Sequence, residues 1–408
     1  MARKQAFHVA LDLGTHKTAV LLAAMNGSEP HVVGLGTAAS TGLRRGVVNN
    51  IDATIQGVQR AVHEAEVMAD CEIQSLVVGL SGSHIKGISS HGMIPIRGSE
   101  VTSADIEQVH DAARAVPMPG DRHVLHVLPK EYIVDDQDGV RDARGMAGVR
   151  LEARVHVLSA ATAVLENVVK CCNRAGVSVS QVILAPLASA EAVLTPEERD
   201  LGVAVVDIGG GTTDLIVYRA GAVQHTAVLP LGGSHITNDI AAGLQTPPAE
   251  AEKLKQRFGN AVASTVRADE RIEVPSVGGR GPRVLSRQIL AEIVEPRVEE
   301  ILTLVAGELA RADAERMLTS GIVLTGGTAN LAGLGALAER VFNVPIRVGS
   351  AVYSGGLGDI VSGPAYATGM GLLLLAGKMN ADSAMTPASA GMLAKVRHRV
   401  GDWFREFF

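Results

Sequence analysis

Two distant stretches of this chain repeat one pattern. The first reads His8-Val-Ala-Leu-Asp12, then Leu-Gly-Thr15-His-Lys17, then Thr18-Ala-Val-Leu-Leu. The second reads Gly202-Val-Ala-Val-Val-Asp207, then Ile-Gly-Gly-Gly-Thr-Thr-Asp214, then Leu215-Ile-Val-Tyr. Each is an apolar strand ending in Asp, a tight Gly/Thr turn and a second apolar strand. A chain that carries this unit once in each half is constrained to a duplicated α/β fold. Its 408 residues also exceed what one core serves, so two or more lobes are expected.

A Gly/Thr turn between antiparallel strands exposes successive backbone N–H groups, and such a nest binds phosphate oxygens. Glycine lets the backbone approach the anion closely. An Asp at the end of the preceding strand is placed to hold Mg2+, directly or through its waters. The candidate phosphate residues are Asp12, Gly14, Thr15 and Lys17 in the first turn. In the second they are Asp207, Gly209, Gly210, Gly211, Thr212 and Thr213. Lys17 supplies counter-charge, and Asp12 and Asp207 face the metal through water. A third turn, Leu324-Thr-Gly-Gly-Thr328, follows a buried strand. Its Gly326, Gly327 and Thr328 let a base or ribose lie against the main chain. Glu252 and Lys255 share one face of a predicted helix and are placed to grip the ribose and flank the base. A solvated surface pair is the competing reading of those two.

Between these turns, periodicity predicts a helix over residues 51–69 with Asp52 as N-cap, a strand over 76–80, helices over 103–115 and 161–175, and a strand over 179–184. Residues 84–160, with the charged loop Asp135-Asp-Gln-Asp-Gly139, read as an inserted subdomain. Residues 236–314 read as mainly helical, divided by the loop Val277-Gly-Gly-Arg-Gly-Pro-Arg283. Residues 377–392 are small and polar and read as a flexible linker.

Aromatics make up only 3 % of the chain, so the cores are built from Ala, Val, Leu and Ile. A net charge of −6 argues against nucleic acid as the main partner. Three cysteines at positions 71, 171 and 172 show no metal-ligand spacing and fit reduced thiols in a cytosolic compartment. Arg3 and Lys4 precede an apolar stretch, but Asp12, His16 and Lys17 interrupt it, so it reads as strand and turn rather than signal peptide. The late apolar run 370–376 is far shorter than the ~20 residues a spanning helix needs.

Those scarce aromatics concentrate at the C-terminus. Trp403 is the only tryptophan, and Phe404, Phe407 and Phe408 are three of six phenylalanines. With Leu393, Val396 and Val400 they recur at helical spacing, while Lys395, Arg397, His398, Arg399 and Arg405 occupy other faces. A helix over residues 393–408 would be about 24 Å long, too short to span a bilayer and suited to lie on one. Its basic flank favours an anionic surface. A helix docked on the body or on a partner is the alternative.

The three turns resemble the phosphate-1, phosphate-2 and adenosine motifs of the actin/Hsp70/hexokinase superfamily. Pro186-Leu-Ala-Ser-Ala-Glu-Ala and Gly363-Pro-Ala-Tyr-Ala-Thr-Gly-Met-Gly resemble its two inter-lobe connecting helices. Further stretches resemble one branch, the FtsA family of bacterial cell-division proteins. They are Gly42-Leu-Arg-Arg-Gly46, Val77-Val-Gly-Leu-Ser-Gly82, Glu197-Glu-Arg-Asp-Leu-Gly-Val203, Gly326-Gly-Thr-Ala-Asn-Leu-Ala-Gly-Leu334 and the basic-aromatic tail.

That resemblance implies an actin-like, ribonuclease-H-like duplicated ATPase fold with a subdomain 1C inserted and the usual 1B missing. Subdomain 1A then takes residues 1–83, 161–200 and 351–376, and 1C takes 84–160. Subdomain 2A takes 201–235 and 315–350, and 2B takes 236–314. It further implies ATP and Mg2+ between the lobes, actin-like self-assembly, and recruitment of FtsZ through its acidic C-terminal peptide. The place would be the cytoplasmic face of the inner membrane at the division site, with later division proteins contacting 1C. Arg280, Arg283, Arg287 and Arg297 on the 2B lobe are the candidates for the FtsZ peptide, since arginine forks recognise carboxylates. Efficient relatives place a Glu or Gln near the first connecting helix to orient water. Here the residue before Pro186 is Ala185, so ATP turnover is expected to be weak at most.

Three other readings compete. A sugar or acetate kinase of the superfamily needs an Asp base beside a substrate pocket. An Hsp70-like chaperone needs a β domain after the ATPase module. A pilus-assembly-type scaffold shares the inserted subdomain, and the basic-aromatic tail favours the division protein over it.

Overall fold

The computed structural model describes residues 7–26, 29–278, 281–351 and 356–383. Lobe I begins with the antiparallel strands β1 (Phe7–Leu13), β2 (Lys17–Asn26) and β3 (Glu29–Ala39). A two-residue ribbon, β4 (Leu43–Arg44) and β5 (Val47–Val48), leads into α1 (Ile51–Ala69). The cap of α1 is Asn50, whose side chain accepts from the Ala53 N–H, and not Asp52 as the sequence suggested. Asn50 keeps an extended backbone, as an N-cap must, while Asp52 lies in the first turn where its charge suits the helix N-terminus. β6 (Ser75–Leu80) then pairs parallel to β1.

The insertion follows: β7 (Lys86–Pro95), α2 (Ser103–Arg114), β8 (Arg122–Val134), β9 (Gln137–Val140) and β10 (Arg150–Ala161). They form one antiparallel sheet, ordered β7-β10-β8-β9, over a core of its own that includes Ile106, Val109, Leu151 and Val155. The charged stretch expected to be a loop is the tight turn and second strand of the β8–β9 hairpin, with Asp135 at φ 55°. Lobe I resumes with α3 (Thr162–Arg174), β11 (Ser178–Leu184), α4 (Ala185–Val193) and α5 (Pro196–Leu201).

Lobe II opens with β12 (Val203–Ile208), β13 (Thr213–Arg219) and β14 (Ala222–Leu229), then α6 (Gly233–Leu244) and α7 (Pro248–Phe258). A ribbon of β15 (Arg271–Val274) and β16 (Arg283–Ser286) precedes α8 (Arg287–Arg311). This ribbon departs from the helical expectation for 236–314: two four-residue strands are too short to show a period by themselves. β17 (Ile322–Thr325), α9 (Leu334–Phe342), β18 (Ile346–Val348), α10 (Gly358–Val361) and α11 (Ala367–Ser383) complete the described chain. Because α11 continues through Ser383, the first part of the expected linker, residues 377–383, is helical. The rest of the linker and the tail segment 393–408 lie outside the described residues.

The duplication seen at two turns extends to whole sheets. Lobe I orders its strands β11-β6-β1-β2-β3, and lobe II orders them β18-β17-β12-β13-β14. The pairing senses agree strand for strand: two antiparallel ladders, then two parallel ones. Each pair of central strands delivers its Asp and its glycine turn to the same end of its sheet. Between the lobes run α4 and α11. They cross so closely that a Cβ on Gly371 would stand 1.7 Å from the Ala188 carbonyl oxygen, so only glycine permits the crossing.

Candidate functional site

The two phosphate-type turns are built alike. In the first, the Gly14 N–H donates to the Lys17 carbonyl at 3.0 Å; in the second, the Gly209 N–H donates to the Thr212 carbonyl at 2.9 Å. They meet across the lobes. A Cβ on Gly210 would stand 3.1 Å from His16 Cβ, and one on Gly211 would stand 2.6 Å from Thr15 Oγ1. The run of glycines is thus required by a neighbouring turn as well as by any ligand. The third turn closes on the second: Thr328 Oγ1 donates to the Gly209 carbonyl at 3.2 Å.

Together the three turns wall a cavity of about 550 Å3 between the lobes. Asp12, Gly14, Thr15 and Lys17 line it, as do Asp207, Gly209, Gly210 and Thr212, and Gly326, Gly327 and Thr328. Two residues expected here instead shape the turn. Gly211 packs on Thr15, and Thr213 donates its hydroxyl to the Leu231 carbonyl at 2.9 Å. Glu252 and Lys255 line the same cavity from α7 and are mostly buried, so the solvated-pair reading does not hold. Lys255 Nζ donates to Glu252 at 2.7 Å, to the Gly233 carbonyl at 3.0 Å and to Thr237 at 2.9 Å. Burial pushes the Glu252 carboxyl up. The Lys255 ammonium and hydrogen bonds from Lys255, Thr237 and Gln256 outweigh it and hold the group below its usual range.

At the floor of the cavity three carboxylates face one another. Burial lifts Asp12 to about 6, with Lys17 opposing and Asp207 adding to the rise. Burial and the Asp207 charge lift Asp214 to about 7, against hydrogen bonds from Ser81 and Thr212. Asp207 is also raised by burial, and hydroxyls from both connecting helices hold it. Ser189 Oγ donates at 2.5 Å and Thr368 Oγ1 at 3.1 Å. A cluster of buried acids that repel one another is a donor set suited to a hydrated divalent cation. Among the described residues no three His, Cys, Asp or Glu side chains converge closely enough to ligate a metal directly.

Carboxyls with raised pKa take up protons on folding as pH falls through 7 to 6, so their repulsion costs stability at pH 8 and is relieved at pH 6. Mg2+ alone should therefore raise Tm more at pH 8 than at pH 6, by several degrees in scanning fluorimetry. Equal shifts at the two pH values would remove these carboxylates as the cation's site.

Several site residues carried no signal that could be read alone. Lys17 Nζ sits 3.3 Å from the Tyr366 ring centroid and donates to the Ala365 carbonyl at 3.1 Å, so the ring and carbonyl hold the ammonium beside the turn. Tyr366 and Thr368 belong to the Gly363-Pro-Ala-Tyr stretch, and Ser189 to the Pro186 stretch, whose likeness to connecting helices was visible without any role for these side chains. Ala185 does line the cavity, at the start of α4. Glu191, further along α4, is turned away into ion pairs with Arg199 at 2.8 Å and Lys378 at 2.5 Å.

Of the four arginines chosen for a partner peptide, the three that are described are each engaged separately rather than gathered into one patch. Arg280 lies outside the described residues. The Arg283 guanidinium donates to the Leu244 carbonyl. Arg287 lines the nucleotide-type cavity, where it donates to the Phe258 carbonyl at 2.8 Å and pairs with Glu270 at 2.6 Å. Arg297 pairs with Asp239 at 2.5 Å and with Glu300. Arg287 and Arg297 are ten residues apart on α8, about 15 Å along its axis and on different faces.

Comparison with known proteins bears on this arrangement. A family model described as "Cell division protein FtsA" matches residues 204–371, and one described as "SHS2 domain inserted in FTSA" matches residues 82–159. The cell division protein FtsA of Pseudomonas aeruginosa is 50% identical over 367 residues, 90% of this chain and 88% of that one. That of Neisseria meningitidis is 42% identical over 414 residues, 99% of this chain and 100% of the relative. The chain belongs to the FtsA family. This family member is therefore an actin-like cell-division protein, and the FtsA of Escherichia coli K12, 43% identical over 98% of each chain, agrees.

Solved structures support the fold alone. A PilM–PilN type IV pilus biogenesis complex aligns with TM-score 0.65 at 18% identity, covering 92% of this chain and 99% of that one. MreB5 of Spiroplasma citri bound to ADP aligns with TM-score 0.52 at 14% identity, covering 94% and 98%. The pilus-biogenesis protein thus shares this architecture, while the FtsA proteins share the sequence over nearly the whole chain. Among the described residues of this FtsA-family chain, no helix is long and apolar enough to cross a membrane.

Proposed function

We propose that this chain binds ATP with Mg2+ between its lobes, polymerises into actin-like filaments on the cytoplasmic face of the inner membrane, and tethers FtsZ filaments there at the division site. The observation that carries the nucleotide reading is the convergence of three glycine turns and three buried carboxylates on one inter-lobe cavity. The amides of the two hairpin turns cradle phosphate oxygens from opposite lobes, and Lys17 neutralises charge from the side of Tyr366. Asp12 and Asp207 hold the waters of the metal. Glu252 and Lys255 face the ribose and base, with Gly326 and Gly327 leaving room for them. When bound, Mg2+ neutralises phosphate charge and fixes the geometry of the triphosphate.

Hydrolysis is the weak point of this centre. Ala185 can orient no water, and Glu191 is engaged by Arg199 and Lys378. Turnover is expected well below the ~1–1000 per second of ordinary enzymes, and nucleotide serves as a conformational switch. Purified protein that releases many phosphates per minute without polymer or partner would refute this.

The FtsZ peptide is assigned to the 236–314 lobe as a whole, because its arginines are mostly engaged internally. Later division proteins are assigned to the insertion. The membrane contact is assigned to residues 393–408. One experiment tests the set: the protein is spread with ATP on lipid monolayers, filaments are sought by negative stain, and FtsZ is then added. Filaments that need ATP and retain FtsZ are the expected result. Failure to form them with nucleotide bound would remove the polymer from the reading.

A further inference from the structure

The insertion is rooted in lobe I yet rests on lobe II. Its chain enters from β6 and leaves into α3, both parts of lobe I. Its sheet nevertheless lies with β7, β8 and β10 against β14, the edge strand of the lobe II sheet. The contact is specific. A bulge in β14, where Val223 pairs with Tyr218 and His225 with Val217, leaves Gln224 without a partner on β13. The Gln224 carbonyl instead accepts from Lys130 Nζ on β8 at 2.8 Å, and the same ammonium donates to Ser89 on β7 at 3.0 Å. Beside it, His156 of β10 and Thr226 of β14, only 2% and 7% exposed, hydrogen-bond at 2.9 Å. Gly87 on β7 makes the room: a Cβ there would stand 2.5 Å from His156 Nε2 and 2.7 Å from Thr226 Oγ1. Nδ1 of His156 and Nε2 of His225 are buried without a hydrogen-bond partner.

We propose that the inserted subdomain is a strap across the cleft, which holds the lobes closed on nucleotide and must release from β14 before nucleotide leaves. This rests on the nucleotide reading given above. Rotation of lobe II about α4 and α11 carries β14 away from the strap's root. Either the Lys130 and His156 contacts break or the cleft stays shut. Other side chains join the lobes as well: Ser81 donates to Asp214 at 2.7 Å, Arg347 of β18 pairs with Glu198 of α5 at 2.7 Å, and Ser189 and Thr368 hold Asp207 at the hinge helices, so the strap adds to these contacts.

Docking also depends on a neutral His156. Burial, with the Lys130 and His225 charges adding to it, holds its pKa at about 3 against an ordinary 6.5. Around His225, Glu308 favours the charged form while Lys130 and Arg311 oppose it, and burial keeps its pKa low. A histidine lowered in the docked state contributes above its ordinary pKa and is lost as pH falls toward the docked value. From pH 8 to pH 5 the docking equilibrium should weaken by about thirtyfold.

The test compares wild type with Lys130→Met, Thr226→Val and Gly87→Ala, none of which lies in the phosphate turns. Stopped-flow dissociation of a fluorescent ATP analogue should be about tenfold faster in each variant, the order expected when a buried hydrogen bond of the contact is lost, or for Gly87→Ala is pushed apart by the new Cβ. Amide exchange in the nucleotide-free protein, corrected for intrinsic rates, should quicken over residues 122–134 and 222–229 in the variants, and in wild type at pH 5. Normal analogue binding with wild-type dissociation rates in all three variants would overturn the strap. So would unaltered exchange at β14. A wild type that binds no analogue sinks the nucleotide reading and the gating with it, and the exchange measurement then still reports whether the insertion docks.

Discussion

Gly326→Ala should lower nucleotide affinity by a hundredfold or more, while Gly327→Ala leaves the unliganded protein as stable as wild type. Gly326 sits at φ 85° and ψ 167°, a region that is essentially closed to residues with a Cβ and costs on the order of 1–3 kcal/mol to enter. Space is closed as well. A Cβ there would lie 2.2 Å from Asp207 Oδ1 and 2.6 Å from the Ile208 carbonyl oxygen, both under the second phosphate turn. The alanine must therefore push Asp207 away from Ser189 and Thr368 or flip the Gly326 peptide, which donates to the Pro364 carbonyl at 3.2 Å. Either response deforms the Asp207 carboxylate and the third glycine turn together. At Gly327 the nearest atom to a new Cβ is Ala365 Cβ at 4.0 Å, so the protein itself tolerates the change. Calorimetric titration with ATP and Mg2+, alongside thermal unfolding, separates the two cases. Tight binding by Gly326→Ala at wild-type Tm would mean that the third turn does not share a site with Asp207.

What could be read in advance follows how local each signal is. The paired turns were legible because their glycines and aspartates are consecutive, and the backbone geometry they impose is decided within six or seven residues. The extension of that repeat to β3 and β14, and to β11 and β18, was not legible, because those strands share only pattern and not chemistry. Residues 84–160, with their charged loop, read as an insertion, and the structure gives them a separate sheet and core. Arg287 shows the opposite case. As a charged residue on a helix it reads as surface, and only the fold turns it into the cavity wall beside Phe258 and Glu270. Ser189, Thr368 and Tyr366 are likewise defined by partners 18 to 349 positions away, which no window of sequence contains. Asn50 and Asp52 both suit a helix start, and backbone geometry alone chooses between them.

Removal of residues 393–408 should abolish liposome flotation while nucleotide affinity stays within about twofold of wild type. The tail follows α11, whose Lys378 pairs with Glu191 on α4 at 2.5 Å, so the described body and its cavity are complete without it. Seven apolar side chains, Trp403 and three phenylalanines among them, would contribute several kcal/mol on entering the interface. Each flanking Lys or Arg adds about 1 kcal/mol at an anionic leaflet. Ordering a single tail would offset much of this, so one copy is expected to bind weakly. Copies linked in a filament would share one surface, and their combined residence should rise by orders of magnitude. Flotation of the full chain should accordingly be stronger with ATP than without, weaker on neutral lipid, and reduced by salt. Charge reversal of Arg397, Arg399 and Arg405 should reduce it on anionic vesicles and leave the weak neutral binding unchanged. Trp403→Glu with Phe407→Glu should remove both. Flotation of the truncated chain at the full-length level would place the membrane contact on the folded body and leave the aromatic tail free for a protein partner.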